Sequence, residues 1–184
     1  MEIKGTAFLA RHDAVVADFG EAAWRTFLTE FAKKDPVFTK PVLPMTWLPV
    51  DSYLRFSEEL LARFYKNDPK AYWAFGESAS EHALTKGQLK AMFAQADYRR
   101  FLQFFPGVWK SYFTAGTAQV EAGERSADLR ITGVPISHTY FEYITIGFMK
   151  RGLEVLGAKN VRTERLKGFS QGDNEVHYRF YFGA

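Results

Sequence analysis

Four histidines, His12, His82, His138 and His177, are the side chains best suited to ligate a metal or carry a proton near neutral pH. They are scattered, and none has a histidine partner four residues away on a helix, so no metal site is expected. His138 follows Ser137 at the head of a predicted helix, which suits either a ligand contact or a role at the helix cap. The chain has no cysteine, which excludes disulfides, thiolate catalysis and cysteine-based zinc or iron–sulfur sites. Neither a nucleophile elbow, a Walker loop nor a Rossmann glycine fingerprint occurs. Acid–base chemistry would have to come from Asp97, Glu142 or His138 placed in an apolar cavity, where burial raises a carboxyl pKa. Paired carboxylates such as Glu58 and Glu59 read as a solvated helix surface.

The chemistry the chain does offer is aromatic. It holds 18 Phe, 9 Tyr and 4 Trp, or 17% of its residues. Tyr98, Phe101, Phe104, Phe105, Trp109, Tyr112 and Phe113 crowd one short stretch. One helix face hides roughly a third to a half of its positions, and Phe104 lies beside the Phe101–Phe105 stripe. The surplus calls for a second surface: a sheet, a partner subunit or a ligand cavity. Trp47, Tyr98, Phe101, Phe104, Trp109, Tyr112, Phe113, His138 and Phe141 are the residues expected to bind it. The plainer reading is a helical core built from Phe in place of Leu.

These residues need elements to hold them. Apolar residues at helical spacing predict two helices over the first 33 residues, broken at Gly20. Pro36, Pro41, Pro44 and Pro49 forbid a continuing helix, and Trp47 anchors an extended, ordered segment there. Helices follow over about 51–66 and from Asp68-Pro69 on. Thr85 and Gln88 fit a capping box for a helix carrying Leu89, Met92 and Phe93. Asp97 caps another helix, and Pro106 opens a further short one through Trp109 and Phe113. The period then changes. Thr117–Ala122 and Ala127–Thr132 read as a hairpin, and Thr139 to Leu156 as a helix with a Thr139–Glu142 capping box and Gly157 as its stop. Two last strands run over about 160–167 and 175–182. The fold class is α+β: a helical N-terminal region (about 1–114) followed by a ββαββ antiparallel sheet unit (about 115–184), expected to form a single domain over 1–184.

Lys and Arg total 24 against 21 Asp and Glu, a net charge of +3 without a basic stripe, so no nucleic-acid partner is expected. No apolar run is long enough for a signal peptide core or a membrane span, which predicts a cytoplasmic protein.

Lys4-Gly5-Thr6-Ala7-Phe8, Pro44-x-x-Trp47-x-Pro49-x-Asp51-x-Tyr53-Leu54 and Phe105-Pro106-x-x-Trp109-x-x-Tyr112-Phe113 resemble an uncharacterised bacterial family heavily duplicated in myxobacteria. Leu153-Glu154-Val155-Leu156-Gly157-Ala158 and Gly172-Asp173 fit it too. More remotely, helices followed by ββαββ resemble a superfamily of heme-dependent nitric-oxide-binding domains, 4-vinyl reductase domains and TRAPP vesicle-tethering subunits. That resemblance implies small-molecule sensing or protein docking in bacterial signalling. The heme branch needs a proximal histidine, for which only His82 is near a suitable place, and its Tyr-x-Ser-x-Arg contact is missing. The reductase branch's cysteine-containing metal site is missing as well.

The expectation is therefore a non-enzymatic domain without cofactor, binding an apolar small molecule or a protein partner, a second copy in a homodimer among them. The alternatives are a small acid–base enzyme with an apolar cavity and a heme-based gas sensor.

Overall fold

The first periodic stretch folds as two helices, α1 (Gly5–Phe19) and α2 (Glu21–Ala32), separated by Gly20 at φ 88°. A residue without a Cβ takes that conformation at little cost. The computed structural model describes residues 1–183, and they group into two units. One comprises Met1–Ala71 with Ser111–Thr114; the other comprises Tyr72–Lys110 and the chain from Ala115 on.

In the first unit, β1 (Glu2–Lys4) pairs antiparallel with β2 (Trp47–Pro49), placing Lys4 opposite Trp47. Three residues are too few to show a period, which is why neither strand is legible in the sequence. Between α2 and β2 the chain is ordered, as the prolines and Trp47 predict, but it is not extended throughout. Pro36–Thr39 form a 3-10 turn capped by Asp35, whose carboxylate accepts from the Val37 N–H at 3.2 Å. Helix α3 (Val50–Phe64) closes the unit. The core here is phenylalanine-built. Phe8, Trp24, Phe27, Phe31, Phe38 and Phe56 are all buried, with neighbouring ring centroids from 5.0 Å (Phe8–Phe56) to 6.1 Å (Trp24–Phe56).

Helix α4 (Lys70–Thr85) leads into the second unit. The helix predicted to start at Thr85 does not form; 86–97 are turns. The Thr85 hydroxyl donates back to the Glu81 carbonyl at 2.7 Å and is not available to cap a successor, and the Lys86 and Gly87 N–H groups both close on His82 O at the end of α4. Helix α5 (Tyr98–Tyr112) runs on through Pro106, where a break was predicted. Pro106 removes one helical bond, but Phe105, Val108 and Trp109 are buried on either side and hold the helix together.

The sheet follows the predicted plan. Strands β3 (Thr117–Ala122), β4 (Ser126–Thr132), β5 (Lys159–Lys167) and β6 (Val176–Gly183) form one antiparallel sheet in the order β3-β4-β6-β5, with α6 (Thr139–Val155) between β4 and β5 in sequence. Alternation puts Val176, Tyr178, Phe180 and Phe182 on the buried face and His177, Arg179 and Tyr181 on the other. Thr139 does not cap α6. His138 does, its Nδ1 accepting from the Tyr140 N–H at 3.0 Å. Glu142, assigned to the capping box by its spacing, is fully buried instead.

Helices α4 and α6 cross at near backbone contact. A Cβ on Gly76 would collide with the Ile144 carbonyl, and one on Gly147 with the Trp73 carbonyl. No helix among the described residues is long and apolar enough to cross a membrane.

Candidate functional site

Helix α5 carries the aromatic series, and the structure shows where the surplus goes. Tyr98 meets Phe182 of the sheet edge-on at 5.6 Å. Phe101 and Phe105 pack against Phe148 of α6 at 6.5 and 6.2 Å, and Phe101 also faces Gly152, where any side chain would overlap its ring. Trp109 lies 6.4 Å from Phe141, and its indole N–H donates to the Ala115 carbonyl at 3.2 Å. Phe113 is buried in the first unit, bridged through its backbone to Ile3, and Tyr112 is half-buried. Phe104 is the exception: its edge rests on Phe93 at 5.6 Å, but it stays 37% exposed.

Of the binding residues predicted from sequence, Tyr98, Phe101, Phe104, Trp109, His138 and Phe141 lie in the second unit. Trp47, Tyr112 and Phe113 lie in the first. His138 joins the aromatic set: its ring is 6.3 Å from Tyr72, which packs edge-on to Tyr140, and Tyr140 in turn to Phe141. Trp47 is half-buried beneath the Lys4 ammonium, 4.4 Å from the ring centre.

The polar centre of the second unit is Glu142. Its carboxylate accepts from the Tyr178 hydroxyl at 2.6 Å, the Ser170 N–H at 2.8 Å and the Ser170 hydroxyl at 3.0 Å, and the Arg165 guanidinium is 3.6 Å away. Gly168 passes so close that a Cβ there would stand 2.5 Å from a carboxylate oxygen. Burial and the adjacent carboxylate push the Tyr178 phenol well above its ordinary pKa. Both carboxylate oxygens thus have donors from the chain itself, and the group acts as a clamp between α6 and the β5–β6 connection. Its spacing from Thr139 is the only sequence signal it gives, and that signal points elsewhere. Asp97, another acid–base candidate, accepts from the Ala94 N–H at 2.9 Å in the turn ahead of α5.

On the other sheet face, His177 Nε2 is 2.7 Å from Asp128, which Arg179 also grips at 3.2 Å through both oxygens. Burial works against the Asp128 charge, yet the hydrogen bonds from Arg179 and His177 hold its carboxyl below the usual range.

No protein-family profile matches the sequence, and no curated protein matches it. Solved structures do. An H-NOX protein from S. oneidensis in the Fe(II) ligation state superposes with a TM-score of 0.78 over 99% of this chain and 97% of that one, at 15% identity. An unliganded Fe(II) H-NOX variant from K. algicida gives 0.71 at 16% identity, over 99% and 97%. An oxygen-binding H-NOX domain related to soluble guanylate cyclases gives 0.71 at 12% identity, over 99% and 96%. At these identities the likeness establishes the fold, which is the α+β architecture of H-NOX domains.

Two of these H-NOX structures hold Fe(II), and heme iron takes an imidazole, thiolate or phenolate ligand open to the macrocycle. There is no cysteine. His12 Nδ1 is 2.8 Å from Asp13, and its Nε2 is 3.4 Å from Glu21. His82, the histidine nearest the expected position, is solvent-exposed on α4. His138 uses Nδ1 at the α6 cap, and His177 is held by Asp128 on the sheet face opposite α6. Three of the four histidines are thus engaged, by Asp13, the α6 cap and Asp128, and the fourth is exposed on α4, so the histidines as placed do not fit the role of an axial heme ligand.

Proposed function

We propose that this chain is a non-enzymatic sensory or docking domain built on the H-NOX fold, reading an apolar small molecule or a protein partner without a heme. The likeness over nearly the whole length to domains that include an oxygen-binding one supports the sensory part of this reading, and the engagement of His12, His138 and His177 by Asp13, the α6 cap and Asp128 supports its independence of heme. The aromatic helix α5, seated on α6 and the sheet, is where binding would be transmitted, because Phe101, Phe105 and Trp109 touch elements on which any displacement must act. The acid–base alternative loses support from Glu142, whose oxygens are already engaged by Tyr178 and Ser170.

Native mass spectrometry and size-exclusion at several concentrations test it. A co-purifying apolar molecule or a concentration-dependent second copy is expected; a strict monomer with nothing bound contradicts it.

A second reading, a heme-based gas sensor, is favoured by the iron states of the matching structures. It requires His12, His138 or His177 to leave its present partner, or the exposed His82 to reach a macrocycle. A Soret band that a single histidine substitution abolishes would establish it.

A further inference from the structure

The most exposed large apolar side chains among the described residues, Met45 at 73% and Leu43 at 62%, stand on one turn of the first unit. That turn is rigid. Thr46 N–H donates to the Leu43 carbonyl at 3.0 Å, and Leu43 N–H donates back to the Thr46 hydroxyl at 3.0 Å. Gly5 N–H donates to the Thr46 carbonyl at 2.7 Å, and a Cβ on Gly5 would collide with the Leu43 carbonyl. Pro41 and Pro44 fix their own φ angles within it. A loose loop could fold its apolar side chains back; this one holds two of them outward, next to the half-buried Trp47.

The charges at the turn itself and directly opposite Trp47 are basic. Lys40 precedes it and is exposed, and Lys4 lies over Trp47. No acidic residue occurs between Pro36 and Val50. Asp35 is buried and taken by Arg55 at 2.7 Å, while Glu2 sits at the far end of β1, opposite Pro49, and Asp51 in the first turn of α3. Protein interfaces are depleted in Lys. Anionic lipid surfaces attract it, Trp settles at headgroup level, and a projecting tip needs no matching concavity in a fluid bilayer.

We propose that the 40–47 turn is a peripheral membrane contact, in which Leu43 and Met45 enter the headgroup boundary of a bilayer and Lys4 and Lys40 meet its anionic lipids. This contact is independent of the sensory reading and requires no membrane span.

Co-sedimentation of the full chain with vesicles of phosphatidylcholine alone, and of phosphatidylcholine mixed with phosphatidylserine, tests the proposal. The protein should pellet with the mixed vesicles, less so as salt rises. The double substitution Leu43→Ser/Met45→Ser should weaken binding about tenfold or more. Lys40→Gln should weaken it about fivefold, only where phosphatidylserine is present. All three positions are exposed, so an unchanged melting temperature certifies the variants as folded. Wild-type protein that stays in solution with both vesicle types overturns the proposal. So does serine-substituted protein that pellets as well as wild type, or equal binding to the two vesicle types. Loss of self-association in the serine variant without any vesicle binding would assign the turn to a second copy and overturn it equally.

Discussion

Glu142 shows how far a residue's role can depart from its sequence context. A glutamate three positions after a threonine at a helix start reads as a capping box, yet here the cap falls to His138 and the glutamate turns inward to Tyr178 and Ser170. Nothing local could reveal this, because its partners lie 28 and 36 residues away. Removing the carboxylate takes the acceptor from three donors, the Tyr178 hydroxyl and the N–H and hydroxyl of Ser170, so Glu142→Ala should destabilise the protein by about 3 kcal/mol in chemical denaturation. Tyr178→Phe should cost about 1.5 kcal/mol. The double variant should fall short of the sum, since both changes break one network.

Asp128 and Asp35 offer a second test at this scale. Burial opposes ionisation at both. Hydrogen bonds from Arg179 and His177 at Asp128, and from Arg55, Ser52 and the Val37 N–H at Asp35, nonetheless hold each folded pKa below its unfolded value. Such a group contributes stability above the unfolded carboxyl pKa, about 4, and loses it as pH falls through the folded value. Melting temperature should therefore drop on acidification below about pH 4, and Asp128→Asn should flatten that drop while lowering stability at neutral pH.

Among the elements, long periodic ones were legible and short or glycine-set ones were not. Helices α1, α2, α3 and α6 and strands β4 and β6 follow from spacing and alternation, because each buries one face, whereas β5 buries none of its residues. Strands β1 and β2 are too short to carry a period, and turns replace a helix over 86–97, where the Thr85 hydroxyl bonds back to Glu81 and cannot serve as a cap. The seating of α4 on α6 was hidden as well. It depends on Gly76 and Gly147, which look like helix-weakening residues until a neighbouring backbone is seen to occupy the space of their side chains. Gly147→Ala should cost about 2–3 kcal/mol through overpacking against the Trp73 carbonyl, beyond any gain in helix propensity. A melting curve unchanged or raised by that substitution would contradict the packing described.

For the whole molecule, the sequence supports an α+β chain with remote likeness to heme-dependent nitric-oxide-binding domains, and the fold agrees across 99% of its length. The aromatic excess was legible too, but not its destination. Phe101, Phe105 and Trp109 are spent on α6 contacts that no single segment announces, and Phe104 alone of the series remains substantially exposed. The proposed role is that of a sensory or docking domain working without iron. Its most direct test is the absorption spectrum of protein expressed with heme supplied, read together with native mass spectrometry of the same sample. The account predicts no Soret band and a mass of protein free of heme, with an apolar molecule or second chain attached. A Soret band at one heme per chain, lost on substituting any one of His12, His82, His138 or His177, would contradict it.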